Sequence, residues 1–171
     1  EKPDTYEIGI LNEVKNYTYI TTKEMNTMDM HIFEPSQNSA DYYHFQTVHR
    51  YLANPIYDKF IEVEHKVSTS YQTTGYRQII VTEQINKLKF LSLIPLPKFF
   101  NTLLNTIVVI ETPSIVLFKI DNKYLGEFRA IMTLTPLEKF KQKMFISSWG
   151  NGIFCFFFGR ILTYMTINTV Y

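Results

Sequence analysis

Apolar and polar residues alternate along much of this chain, and the period is two. Phe60–Val67 reads F-I-E-V-E-H-K-V, a half-buried strand. Tyr76–Ile85 is β-branched in its first half and predicts a second strand. Thr106–Glu111 and Ile115–Ile120 are β-branched runs joined at Thr112-Pro113-Ser114, the signature of a hairpin. Asp121-Asn122-Lys123 is the next turn, and Glu127–Leu134 and Lys143–Ser148 are two further strands. Near the start, Met28–Glu34 alternates and reads as a strand, while the first twenty or so residues read as loop with short extended pieces. Pro95 and Pro97 break the chain around an apolar loop.

Two stretches depart from that period. Pro35–Ser39 is a turn and a helix start, and a helix is expected from Ala40 to about Leu52, stopped near Asn54-Pro55. Asn151 and Gly152 open a final apolar stretch running to Tyr171. It is long enough to raise a membrane span, but Arg160 at its middle and several Thr and Asn favour a buried amphipathic helix. The order is strand, helix, antiparallel strands, long helix. That predicts an α+β fold, a curved antiparallel sheet wrapped against a long C-terminal helix. Val108, Ile110, Val116 and Phe118, facing Phe154, Phe157, Ile161 and Met165, are expected to enclose a cavity for a bulky apolar ligand.

Composition narrows the function. The 171 residues suit one domain, with 46% hydrophobic and 19% charged residues, a globular balance. Net charge is +1 with scattered basic residues, so no electrostatic case exists for nucleic acid. The single cysteine, Cys155, excludes an internal disulfide and reads as a small buried hydrophobe. The 14 Phe and 12 Tyr are enough to fill a large core or line an apolar cavity. The chain starts at Glu1 without an initiator Met and stops inside an apolar run, so both ends are expected to be cuts in a longer protein.

The chemistry concentrates in Glu34-Pro-Ser-Gln-Asn38-Ser-Ala-Asp41-Tyr-Tyr-His44-Phe-Gln-Thr-Val-His49, or N-x2-D-x2-H-x4-H. Two of the chain's four histidines fall in this one expected helix, with an Asp one turn earlier. Imidazole nitrogens suit iron(II), and two His with one carboxylate form a facial triad that leaves positions open. The competing reading is two ordinary partly buried histidines, the usual one for a His pair taken alone. What weighs against it is that two of only four histidines share one expected helix with an Asp, together with the family resemblance given below. His31 and His65 sit in strand signals without partners and read as structural. At about 100° per residue, His44 and His49 would diverge by roughly 140° on a regular helix. A shared metal therefore requires a π-bulge, a kink or an early helix end after Phe45.

This stretch resembles the iron-binding helix of the Rieske non-haem iron oxygenases. Glu34 and the Asn38-Ser-Ala-Asp41 run are most similar to the cholesterol 7-desaturase (Neverland-type) branch. Gly126-Glu127-Phe128 and Thr133-Leu-Thr-Pro136-Leu-Glu138-Lys-Phe-Lys-Gln resemble that branch's strand and turn. The resemblance spans most of the chain from about Met28 onward. It implies a helix-grip (START-like or Bet v1-like) catalytic domain over residues 1–171, with the Rieske domain upstream and the third iron ligand downstream. By resemblance His44 and His49 are ligands of a mononuclear Fe(II). Asp41 resembles the carboxylate linking a ligand histidine to the cluster of a neighbouring subunit, and Asn38 the Asn near the iron.

The resemblance further implies a sterol substrate, dioxygen, and electrons passed from NAD(P)H through a reductase to a 2Fe-2S cluster. It implies a homotrimer and membrane association of the full-length protein. The chain lacks the Cys and His pairs of the cluster and the late acidic ligand; Asp121, Glu127 and Glu138 are its remaining acidic residues in the C-terminal third, and none suits that role. By itself the chain is expected to bind iron weakly and to be inactive. Two other readings stay open: a helix-grip lipid-binding module without catalysis, or an oxygenase acting on another bulky ring, such as a chlorophyll-type one.

Overall fold

A computed structural model describes residues 9–40, 61–74, 77–90, 94–95, 106–112, 114–123, 126–152, 155–157, 159–161 and 163. Their architecture is one curved antiparallel sheet with short helices. The strands are β1 (Thr18–Glu24), β2 (Met28–Asp29), β3 (Ile61–Thr74), β4 (Arg77–Phe90), β5 (Ile94–Pro95), β6 (Thr106–Thr112), β7 (Ile115–Asn122), β8 (Gly126–Glu138) and β9 (Lys141–Gly150). They lie in the order β1-β9-β8-β7-β6-β4-β3, with β2 beside β9 and β5 beside β4. Two short helices, α1 (Gly9–Asn12) and α2 (Glu34–Ala40), precede β3.

The register explains the core. Val108 pairs with Phe118, Phe118 with Ala130 and Ala130 with Ser148, so these positions share one face. On that face Val108, Ile110, Val116, Phe118, Phe128, Ala130, Met132, Leu134, Met144 and Ile146 form one buried cluster. β9 shows the alternation most cleanly, with every second residue buried from Gln142 to Gly150. β7 and β8 are buried on both faces, because Ile10 and Val14 of the N-terminal segment cover Leu117 and Ile131 on the other side. A strand covered on both faces needs a continuous apolar run, and I-V-L-F in β7 supplies one.

The sheet thus holds the expected strands, and the Thr106–Thr112 and Ile115–Asn122 hairpin is as predicted. Several local expectations are corrected. β1 was hidden in the stretch read as loop, because T-Y-I-T-T-K-E carries little apolar signal. An edge strand with one paired side tolerates that polarity. The alternation of Met28–Glu34 yields only the two-residue β2, and the helix starts at Glu34 rather than Ala40. Thr135-Pro136-Leu137-Glu138 continues β8 and does not turn; the reversal falls at Lys139-Phe140, where Phe140 has φ 60°. Pro136 is accommodated because β7 pairs with β8 only as far as Thr133, leaving Pro136 a single neighbour strand.

The C-terminal segment corrects another expectation. Residues 155–157, 159–161 and 163 are helical, and the positions beyond, like the expected helix after Ala40, lie outside the described residues. Cys155, Gly159 and Thr163, four apart, face the sheet. Thr163 Oγ1 donates to Ser148 Oγ at 2.8 Å, and Cys155 is 2% exposed. Phe157 and Ile161, expected to face the sheet, are 73% and 55% exposed. Close approach is the reason. A Cβ on Gly159 would stand 2.5 Å from Ile20 Cδ1, and one on Gly150 would stand 2.9 Å from Cys155 Sγ. Only small side chains fit between segment and sheet there.

Candidate functional site

Of the motif residues, Asn38 is described: it is half-buried on α2, which lies against β6. Asp41, His44 and His49 lie outside the described residues. The start of α2 is built in detail. His31 Nδ1 accepts the Phe33 N–H at 3.3 Å, and Glu34 Oε1 accepts the His31 N–H at 2.9 Å. This reciprocal arrangement satisfies donors that a helix start leaves open. The His31 ring stacks on Phe33 with centroids 5.2 Å apart and tilts against Phe140 at 5.8 Å. His31 is thus a capping and packing residue, and Glu34 opens the helix that leads into the motif. His65 lies on β3 opposite Asn86. Among the described residues no group of three His, Cys, Asp or Glu is placed to hold a metal ion.

A pocket of about 560 Å³ is lined by residues 24 to 30. Its origin is a gap in the edge strand. β1 follows β9 from Gly150 to Phe145, and β2 rejoins β9 at Gln142. Between them the chain bows outward at Met25, Asn26 and Thr27, tethered where the Met25 N–H donates to Met144 O at 2.9 Å. Met25, Met28 and Met30 all pack against the main core cluster.

The opposite face carries a polar network that the motif reading missed. Arg129, 6% exposed, donates from Nη1 to Asp121 Oδ1 at 2.5 Å and to Phe128 O at 2.9 Å. Its Nη2 donates to Tyr17 Oη at 3.2 Å, and the guanidinium lies 5.0 Å from the centre of the Tyr17 ring. Tyr17 Oη donates to Glu127 Oε2 at 2.5 Å, and Asn151 Nδ2 donates to the same oxygen at 3.1 Å. Asp121 and Glu127, set aside as iron ligands, are engaged here. The network joins the N-terminal segment, β7, β8 and the residue after β9. The available signal was an Arg inside the apolar run F-R-A-I-M of β8, since a buried guanidinium requires a carboxylate.

Its pH response follows from two shifts. The Tyr17 hydroxyl, then Asn151 and Arg129, hold the Glu127 carboxyl below its ordinary 4.5. The same bond to Glu127, aided by burial, raises Tyr17 above 10.0. A lowered carboxylate stabilises the fold above its ordinary value, and that contribution is lost as pH falls through the lowered one. A raised phenol contributes below 10.0 and loses that contribution as pH rises through its folded value. Tm should therefore fall on both limbs. Glu127→Gln should flatten the acid limb in a pH series of thermal melts; an unchanged acid limb would remove Glu127 from this role. At the other end of Glu127, its carbonyl accepts the Cys155 thiol at 3.1 Å, and burial pushes that thiol up to about 11. Cys155 is therefore a protonated, packed thiol at neutral pH.

None of the described helices is long and apolar enough to cross a membrane. No family model and no curated protein matches the chain. Among solved structures, the solution NMR structure of a protein from Arthrobacter aurescens is similar at 13% identity and a TM-score of 0.46, over 87% of this chain and 78% of that one. A likeness of that depth carries no argument about activity.

Proposed function

We propose that this chain is the mononuclear-iron domain of a Rieske-type oxygenase acting on a sterol, on the cholesterol 7-desaturase pattern, within a helix-grip fold. The observation that carries the reading is the N-x2-D-x2-H-x4-H constellation at Asn38, Asp41, His44 and His49. Supporting it, Glu34 and His31 fix the start of the helix that leads into this constellation.

His44 and His49 would hold Fe(II) through neutral imidazole nitrogens, which suit that ion. Bound iron would supply dioxygen activation, with electrons arriving from NAD(P)H through a reductase and a 2Fe-2S cluster. The residues of the chain orient and tune. Asp41, three residues before His44 in sequence, would accept from the second imidazole nitrogen and so fix the ring and its tautomer. Asn38 would sit beside the same centre. Membrane association and a homotrimer, in which the cluster of one subunit serves the iron of the next, belong to the same proposal.

The test is Asp41→Asn in a protein that also contains the cluster-bearing domain. Iron content should stay at the wild-type level, while sterol product per iron falls at least tenfold. Wild-type turnover in the variant would remove Asp41 from the electron path. The second reading is a helix-grip lipid binder without catalysis. It would bind sterol and yield no oxidised product with iron, cluster and reductase all supplied.

A further inference from the structure

We propose that the bow between β1 and β2 is a binding site for a soft monovalent metal ion, Cu(I), held by the thioether sulfurs of Met25, Met28 and Met30. Three of the chain's six methionines fall at these positions, in the pattern M-x2-M-x-M. All three line the same pocket, about 560 Å³ in volume. Met28 and Met30 flank the exposed Asp29 and both pack toward the main core cluster. Met25 reaches that cluster from the other limb of the bow, tethered where its N–H donates to Met144 O at 2.9 Å. Both limbs are thus fixed on β9, and the three side chains meet around one space. Packing alone would be met by leucine. Methionine adds a sulfur donor and an unbranched side chain that can turn toward an ion.

The donor set decides which ion. Thioether sulfur is soft and uncharged, and soft ligands select Cu(I). The rest of the lining is Glu24, Asn26, Thr27 and Asp29. Glu24 is paired with Lys143 at 2.6 Å, and Lys141 stands across from Asp29 in the β2–β9 ladder. Two carboxylates beside two lysines leave no surplus negative charge for a divalent ion. Hard ions such as Ca²⁺ need a full shell of oxygens, which two carboxylates do not supply. Among the described residues no group of three His, Cys, Asp or Glu is placed to hold a borderline ion such as Zn²⁺. One positive charge on neutral sulfurs fits this setting, and the polar half of the lining lets a hydrated ion approach.

The site shares no residue with the iron motif and its test uses no iron, so the two readings fail separately. The metal-free chain is titrated anaerobically against the coloured Cu(I)–bicinchoninate complex, whose absorbance falls as the ion is withdrawn. Wild type should withdraw Cu(I). Met25→Leu, Met28→Leu and Met30→Leu together nearly conserve volume, a change that cores tolerate. The triple variant should bind at least about tenfold more weakly, a loss that even outer partners of metal ligands commonly bring. Cys155→Ala removes the chain's only thiol and should leave the affinity unchanged. If the triple variant does not fold, the methionine ε-methyl NMR signals of wild type serve instead. Ag(I), a redox-inert stand-in for Cu(I), should shift the signals of Met25, Met28 and Met30 and leave that of the fully buried Met132 in place. Zn(II) should shift none of them. No withdrawal of Cu(I) by wild type, equal affinity in the triple variant, loss of binding in Cys155→Ala, or Ag(I) leaving the three signals unmoved would overturn the proposal, as would Zn(II) shifting them equally.

Discussion

Gly126→Ala is expected to destabilise the fold by about 3 kcal/mol or more, the range reached when backbone strain and a steric clash coincide. Gly126 opens β8 with φ 93°, a conformation that side chains rarely adopt. A Cβ there would clash with Asn151 O and stand 3.1 Å from Asn151 C. Those are backbone atoms, and they are held in place. The Asn151 N–H donates to Glu127 O at 2.9 Å, and Asn151 Oδ1 accepts the Glu127 N–H at 2.8 Å. Relief would break both bonds and disturb the network at Glu127. Gly159→Ala makes the control. Its Cβ would meet Ile20 Cδ1 at 2.5 Å, the far end of a side chain that can rotate, so about 1 kcal/mol is expected. Urea unfolding reads both. A loss below about 1 kcal/mol for Gly126→Ala would show that the β8 start yields more easily than its bonds imply.

Arg129→Ala should cost about 2–3 kcal/mol, somewhat under the value for breaking a fully buried ion pair. The guanidinium side chain is 7% exposed, while Asp121 and Glu127 are 53% and 45% exposed. On losing Arg129 the two carboxylates can turn to water, which limits the penalty. The lost packing on Tyr17 and the lost bond to Phe128 O cannot be recovered that way. Arg129→Lys should recover less than half of the loss, since one ammonium cannot span Asp121, Tyr17 and Phe128 O together. Arg129→Ala combined with Tyr17→Phe should be clearly less than additive in urea unfolding, because the two residues touch. Strict additivity would contradict the network.

Where the sequence was legible, two-sided burial or strict alternation made it so. β6 and β7 are short, β-branched and bounded by Thr112-Pro113-Ser114, and nothing competes with that signal. β3 and β4 extend past their apolar parts because Ser, Thr and Gln pair as well as Val does in a ladder. Their register runs unbroken from Ile61 opposite Phe90 to Thr74 opposite Arg77. β1 was illegible because one apolar residue, Ile20, carries its inward face.

The C-terminal stretch failed for the opposite reason. G-I-F-C-F-F-F-G-R-I is apolar all round, so no period marks the inner face. Cys155, Gly159 and Thr163 were selected by closeness to β1 and β9, which a linear pattern does not encode. The same holds for Tyr17 and Arg129, 112 positions apart in sequence. The N-x2-D-x2-H-x4-H pattern was visible because its spacing is local, whereas the contact of Thr163 with Ser148 exists only once the fold brings the two together.

The central claim is an iron site at His44 and His49, and anaerobic Fe(II) titration tests it most directly. The 171-residue chain is titrated beside His44→Ala and His49→Ala, with bound iron read after rapid gel filtration. The account predicts one weakly held Fe(II) in the wild-type chain and at least a tenfold loss of affinity in each variant. Equal affinity in all three proteins, or no saturable binding by wild type, would contradict it.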